Sequence, residues 1–339
     1  MSLQLNGTAG VTYNDGSNQP AAASPYVLKN RIINGNFDIW QRGTSFSVTA
    51  STNIYTADRW RFVGSGFTGT LTRQNFTAGQ TDVPNNPDYF ARWDVTTNPS
   101  ANIAFGQLIE NVQTLAGKTA TVSFYFKSNA TIAANTLQFR YRQVTGGTGG
   151  TNNSVNIGEI TTSWQKFTFT VNIPSLSGAT LGASNSSYLA FEILSGSSHS
   201  SAFQLDIAQC QLEEGDTATP FENRMYSTEL AMCQRYYFKH TGVAVGDRFA
   251  VGMGDTTSNI NTIFALPTNM RATPSTSYDL INLRNGATDK TISSVFAIRL
   301  FNNSVNLIFA VSDTATTGAV YMVRGTTSSG AYIDFSAEL

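Results

Sequence analysis

From Arg31 to about Leu194, apolar side chains recur at every second position in short runs. In Tyr55–Val63, Trp60 and Phe62 alternate with Arg59 and Arg61; in Tyr89–Val95, Tyr89, Trp93 and Val95 stand opposite Arg92 and Asp94. The same spacing returns in Val122, Phe124 and Phe126, in Leu137, Phe139 and Tyr141, in Phe167, Phe169, Val171 and Ile173, and in Leu189, Phe191 and Ile193. A period of two is that of a half-buried strand. Gly/Ser/Asn loops separate the runs, which predicts a sandwich or jelly roll rather than a parallel sheet. Gly146–Asn153 reads as an exposed, mobile hairpin tip.

The pattern changes once, within Gln204–Phe238. Phe203, Leu205 and Ile207 alternate with Gln204, Asp206 and Ala208, predicting a strand with one buried and one wet face. An acidic turn at Glu213–Asp216 and an extended Thr219-Pro220-Phe221 follow. Ser227 can then cap a short helix, with Glu229 in its first turn and Leu230, Cys233 and Tyr237 on one face. Beyond it, Phe249–Val251, Ile260–Ala265, Ser294–Phe301, Ser304–Val311, Ala319–Arg324 and Tyr332–Phe335 read as strands, with Asn302-Asn303 as a tight hairpin turn. Leu266–Arg271 reads as an extended connection carrying an exposed basic point. Ahead of all this, residues 1–29 hold few aliphatics, a turn at Asn14-Asp15-Gly16 and a Pro/Ala-rich stretch; they read as a loose terminus or an attachment arm. The expected architecture is therefore all-β: an arm over 1–29, a jelly-roll β-sandwich over 30–225, then a short helix and a second, smaller β-sandwich over 226–339.

Composition narrows the function. Charged residues are 13% of the 339 and the net charge is −1, so no basic surface for nucleic acid is expected. The N-terminus has no basic start followed by an apolar run, and no stretch approaches the ~20 apolar residues of a membrane helix, so neither secretion nor membrane insertion is expected. Cys210 and Cys233 read as free buried thiols. The Asn-x-Thr triplets at Asn75 and Asn129 read as chance matches to a glycosylation site.

The chemical motifs point away from catalysis. Gly64-Ser65-Gly66-Phe67-Thr68-Gly69 spells a dinucleotide fingerprint, but Thr70–Arg73 continues as alternation and no helix follows to hold a pyrophosphate; it reads as a glycine-rich hairpin turn. The two histidines, His199 and His240, have no nucleophile elbow or zinc spacing around them. Glu192 and Asp206 are candidate paired carboxylates, and Asp38, Asp58 and Asp206 candidate calcium ligands, with nothing in the spacing to join them. No catalytic residue, metal or cofactor is expected. More informative is the set that alternates outward in the first domain, of which Tyr125, Arg140, Arg142, Tyr188 and Glu192 are the candidate ligand-binding residues. Aromatic rings beside planar polar groups suit a sugar, which needs stacking for its C–H face and paired hydrogen bonds for its hydroxyls. The competing reading is a wet face with cross-strand ion pairs such as Arg140 to Glu192.

Several stretches carry a resemblance: Val11–Gly16, Asn30–Gly43 (NRIINGNFDIWQRG), Tyr55–Trp60 (YTADRW), Gln211–Gly215, Thr219–Glu222, Glu229-Leu230, Cys233–Tyr237 and Ile333–Leu339. Together they resemble phage virion fibre and tail-fibre proteins. That resemblance implies a carbohydrate-binding-module-like jelly roll, a trimerising C-terminal β domain, attachment to another virion protein through residues 1–29, and adhesion of a homotrimeric virion fibre to host-surface glycans. The alternatives are a capsid-decorating head fibre and a glycan-degrading tailspike; the lack of a long regular repeat argues against the last.

Overall fold

The computed structural model describes residues 4–6, 10–12, 18–19, 28–97, 103–183, 186–195, 202–326 and 330–339. In the N-terminal segment, β1 (Gln4–Asn6), β2 (Gly10–Thr12) and β3 (Asn18–Gln19) form a small antiparallel sheet. The turn at Asn14-Asp15-Gly16 and the Pro/Ala-rich stretch lie outside the described residues, as does His199.

The first domain contains β4 (Ser45–Tyr55), β5 (Trp60–Asn75), β6 (Tyr89–Val95), β7 (Ile103–Glu110), β8 (Thr119–Ser128), β9 (Leu137–Val144), β10 (Thr151–Asn156), β11 (Gln165–Asn172), β12 (Tyr188–Ser195) and β13 (Phe203–Glu214). They pair in the order β10-β9-β12-β7-β5-β6-β13-β8-β11, with β4 on β5. The path doubles over at β5. Trp60–Val63 pairs with β7, while Gly69–Asn75 pairs with β6, so one strand serves both layers. Phe124 of β8 then meets Phe139 and Phe191 of the other layer across the core, at centroid distances of 6.5 and 6.3 Å.

The glycine fingerprint sits at this bend. Gly64–Gly69 lies inside one 16-residue strand, not in a hairpin turn; opposite it the β4 ladder slips register at Ala50/Ser51, and Gly66 takes φ +72°, which an L side chain rarely adopts. Two further expectations change. Thr56–Arg59 breaks the run read as one strand, and Arg59 is buried, not wet. The 146–153 tip joins β9 to β10 as expected, but Thr148 exchanges backbone hydrogen bonds with Thr180 at 3.1 and 3.2 Å, so it is tied down.

β13 is central to the domain, pairing with β6 and β8. Apart from Gln204 and Glu214 its polar residues are buried, not on a wet face: Asp206 is paired with Arg92 at 2.7 and 2.9 Å, and Glu213 lies inside the strand rather than in a turn. Asn30 bonds Cys210 O at 3.1 Å and Leu212 N at 3.0 Å, and Gly35 packs so closely on β13 that a Cβ there would stand 2.2 Å from Cys210 O. Both cysteines are free and buried.

The second domain begins with α1 (Tyr226–Gln234), the one helix among the described residues. Ser227 does not cap it: the helix starts at Tyr226 after Met225, whose side chain makes no cap, and Cys233 alone is buried, because Tyr237 already belongs to the next strand. The strands are β14 (Tyr237–Thr241), β15 (Arg248–Gly254), β16 (Asn259–Ala265), β17 (Ser275–Asp279), β18 (Ile281–Asn285), β19 (Thr288–Lys290), β20 (Ile292–Phe301), β21 (Ser304–Val311), β22 (Val320–Gly325) and β23 (Tyr332–Ser336). A sheet β14-β23-β17 packs on a sheet β19-β18-β22-β15-β16-β21-β20, with Phe264 on Phe335 at 5.6 Å and Tyr278 on Phe309 at 6.3 Å. The chain is all-β, two sandwiches with a short helix between them.

Four of the stretches that carry the resemblance, Asn30–Gly43, Tyr55–Trp60, Cys233–Tyr237 and Ile333–Leu339, meet at the junction of the two domains. Arg59 donates to Leu108 O and to the Glu338 carboxylate, and its guanidinium lies 3.5 Å from the Tyr236 ring centre. Arg42 also reaches Glu338, at 3.1 Å, and stacks on Tyr237 at 3.5 Å. Arg235 and the Tyr236 hydroxyl both bond Glu110, at 2.9 and 2.8 Å. Arg271, read as an exposed basic point, instead donates to Ala337 O and Glu338 O at 3.0 and 3.1 Å. Opposite charges leave water together here: Arg42, Arg59 and Arg235 are each paired with a carboxylate, although Arg42 Nη1 and Arg59 Nε are buried without a hydrogen-bond partner.

Two aspartates beside this junction have carboxyls pushed up to about 6. For Asp58, burial outweighs Arg42 and Gln41; for Asp38, burial outweighs the Asn36 amide, with Asp88 and Glu229 adding repulsion. A carboxyl raised in the folded state stabilises below its unfolded pKa near 3.8, and that contribution is lost as pH rises through about 6. Asp38→Asn should remove the loss. The variant's stability relative to the parent should rise between pH 4 and pH 7, by on the order of 1–3 kcal/mol. Urea denaturation of both proteins across that range checks it, and a pH-independent difference would refute it.

Candidate functional site

The five residues expected to form a binding face fall on opposite sides of the first domain. In β8 the core side is Val122, Phe124 and Phe126, so Tyr125 faces out; in β12 it is Leu189, Phe191 and Ile193, so Tyr188 and Glu192 face out from the other layer. β13, β6, β5 and β7 lie between β8 and β12 along the path. The structure brings four of the five together and places Tyr125 elsewhere.

The four form an ion-pair cluster. Arg140 sits directly across from Glu192 in the β9–β12 register, with Nε at 2.8 Å, and Arg142 closes a bidentate pair on the same carboxylate at 2.9 and 3.0 Å. The Tyr188 hydroxyl is a further partner of Arg142. Glu192 lies over Gly106, where a Cβ would stand 2.9 Å from its Cγ, and it is only 5% exposed. Burial pushes its carboxyl up, but the hydrogen bonds and charges of Arg142 and Arg140 outweigh this and hold it below the usual carboxylate range. Both of its oxygens are engaged by arginine. The cluster is thus the cross-strand ion pair that the sequence offered as the competing reading, extended to a third residue.

Tyr125 lies in a different setting, and one that had no sequence signal of its own. The β13–β8 ladder slips between Ala208 and Gln211, and the bulge puts Gln209 at φ +46°. Gln209 is 2% exposed; its Nε2 donates to Pro84 O at 2.7 Å, which ties the 80–88 loop to the bulge. Its Oε1 is buried without a partner. On the other side, Thr219 is fastened to the Glu213 carboxylate at 2.9 and 2.6 Å, and Glu222 N to Gln211 Oε1 at 2.8 Å, which fixes Pro220 and Phe221. These pieces enclose a pocket of ≈ 370 Å³. Its floor is Ser123, Tyr125 and Lys166; Pro84 and Asn85 form one wall, Ala218, Pro220 and Phe221 the other, and Gln209 lines it as well. Beside it, Phe76, Phe90 and Trp164 pack at 4.8 to 5.3 Å and hold the back of the Tyr125 ring with Val83 and Ala208. Burial raises the Tyr125 hydroxyl pKa, so the phenol stays neutral and able to donate.

A third surface is apolar. One face of the larger sheet in the second domain leaves Val251, Met253, Ile263, Phe301 and Val320 each more than half exposed around a hollow of ≈ 550 Å³. Asn306 donates to Asn261 within it. In the apolar run 297–301, Phe301 lies on this face, Leu300 packs toward the core, and the side chains of Ala297 and Ile298 lie outside the described residues.

Among the described residues, no group of three or more His, Cys, Asp or Glu side chains is placed to hold a metal, and no helix is long and apolar enough to cross a membrane. No protein-family model and no curated protein matches the chain. Solved structures do. The enzymatically active domain of bacteriophage CBA120 tailspike protein 4 is 13% identical over 55% of this chain and 21% of its own, with a TM-score of 0.35. A family 4 carbohydrate-binding module is 17% identical over 54% of this chain and 98% of its own, with a TM-score of 0.31. A family 61 module in complex with β-1,4-galactotriose is 12% identical over 55% and 99%, with a TM-score of 0.30. The chain thus spans about a fifth of the tailspike domain and nearly all of either module.

Proposed function

We propose that this chain is a structural fibre protein of a phage virion that adheres to host-surface glycans, with the Tyr125 pocket as its sugar site. The observation that carries the reading is the pocket itself. It combines an aromatic ring braced from behind, a planar amide at Asn85 and a hydroxyl at Ser123, on a floor of paired strands. A pyranose needs that mixture of apolar face and directional polar groups. The pocket presents no pair of carboxylates, and the role proposed is binding without hydrolysis; incubation with host polysaccharide should release no product.

A shallow site of this kind binds weakly, since desolvation of the sugar offsets much of each contact. Three sites on a homotrimer raise avidity on the order of 10²-fold. We assign the trimer contact to the apolar face of the second domain. Residues ahead of Lys29 are the proposed anchor to another virion protein. Lys29 itself belongs to the first domain, since its amide and amine bond Glu222 and Thr219 at 3.1 and 2.6 Å. Deleting 1–27 should therefore leave folding unchanged and abolish incorporation into particles; normal incorporation would remove the anchor.

Tyr125→Ala should lower adsorption to host cells at least tenfold. Because Tyr125 also packs on its aromatic neighbours, melting is followed in parallel. Tyr125→Phe keeps the ring and should keep most of the binding. Undiminished adsorption by a folded Tyr125→Ala trimer would place the site elsewhere.

A further inference from the structure

We infer that the Tyr125 pocket selects acidic sugars, with the ligand's carboxylate paired to Lys166. This rests on the glycan-binding reading above and adds the chemical class of the ligand.

The charge of the lining is one-sided. Lys166 is its single ionisable cation, and no aspartate or glutamate lines the pocket. Lys166 stands directly opposite Tyr125 in the β11–β8 register, so its stem runs beside the ring. Elsewhere on this layer Arg92 takes Asp206 and Lys118 takes Glu214, while Lys127 stands outside the pocket without an ion pair among the described residues. The Lys166 ammonium has no carboxylate partner among the described residues, and it is exposed at the mouth of a concave site. A neutral sugar docked there would strip water from an ammonium without replacing it; a carboxylate would replace it with a charge-assisted hydrogen bond.

The other features exclude a bare anion. Tyr125, Pro220 and Phe221 present apolar surface that a phosphate or acetate cannot cover. Asn85 and Ser123 line the same hollow and add groups that can pair with ring hydroxyls. Carboxylate, ring face and hydroxyls together describe a uronic or ulosonic acid residue within a glycan.

The test uses the full-length protein on a glycan array that carries uronate and ulosonate glycans beside their carboxyl-reduced counterparts and neutral glycans. Acidic members should bind at least tenfold more tightly than their reduced partners, and raising the salt should narrow that gap. Lys166→Met should bring the ratio close to one while leaving the melting temperature unchanged. Equal binding of acidic and reduced glycans, or a preference that survives Lys166→Met, overturns the acidic selection and leaves glycan binding standing. Absence of binding to every glycan on the array overturns both.

Discussion

Glu338→Ala is expected to destabilise the folded chain by roughly 3–5 kcal/mol, a large share of the ~5–15 kcal/mol that typically separates folded from unfolded protein. The reason lies with its partner. Arg59 is 1% exposed, flat on Tyr236, and its guanidinium donates to Leu108 O and the Glu338 carboxylate, with Nε buried and unpartnered. Burial works against that charge and is the largest single effect; Glu338, together with Tyr236, Tyr55 and Cys233, outweighs it. Without the carboxylate the guanidinium stays buried and uncompensated, and Arg42 loses its 3.1 Å contact as well. Glu338→Gln keeps the shape and one acceptor, so it should cost less than alanine but still more than an ordinary surface change of about 0.5 kcal/mol. Guanidinium denaturation at pH 7 measures both. A loss under about 1 kcal/mol for Glu338→Ala would mean that water reaches Arg59 and that the domains are only loosely joined.

The second large effect concerns assembly. Light scattering should give about three times the 36.6 kDa chain mass, and Met253→Asp with Ile263→Asp should reduce it to one chain mass. Both side chains are more than half exposed on the apolar sheet face, at 56% and 61%, in strands that pair with each other. Covering the exposed part of five such residues contributes on the order of 1 kcal/mol each per chain. Two carboxylates placed there would have to leave water with a single arginine, Arg299, beside them, which outweighs that gain. In the single chain the same positions face solvent, so the variant should fold and melt as one species. A parent protein that is monomeric at micromolar concentration would refute the trimer. A trimer untouched by the two aspartates would move the contact to another surface.

Much of this fold was legible in the pattern of the chain. Strands with one wet face, such as Leu137–Val144 and Lys166–Ile173, announce themselves by alternation, and the Asn302-Asn303 hairpin by its turn residues. Ile103–Glu110 was not legible, because residues on both of its faces are buried and a strand covered on both sides has no period of two to show. The same covering hid the burial of Asp206, Glu192 and Arg59, whose partners Arg92, Arg140, Arg142 and Glu338 lie far along the chain. β4, β10, β14 and β17–β19 went unread as well, being edge strands or polar ones rich in Ser, Thr and Asn.

By itself the sequence determined the strand class, the two-sandwich order, the free cysteines and the outward direction of Tyr125, Tyr188 and Glu192. Each follows from local spacing, since side chains on a strand must alternate between faces. Only the tertiary structure decided which outward residues share a surface. Alternation says that a side chain leaves the core, not which layer it leaves from. That was settled by the bend in Trp60–Asn75, which puts β8 and β12 on opposite layers and so parts Tyr125 from Arg140. The pocket that Tyr125 gained instead depends on a register slip at Gln209 and on loops more than 100 residues apart, closed by hydrogen bonds such as Gln209 to Pro84 that no spacing rule encodes.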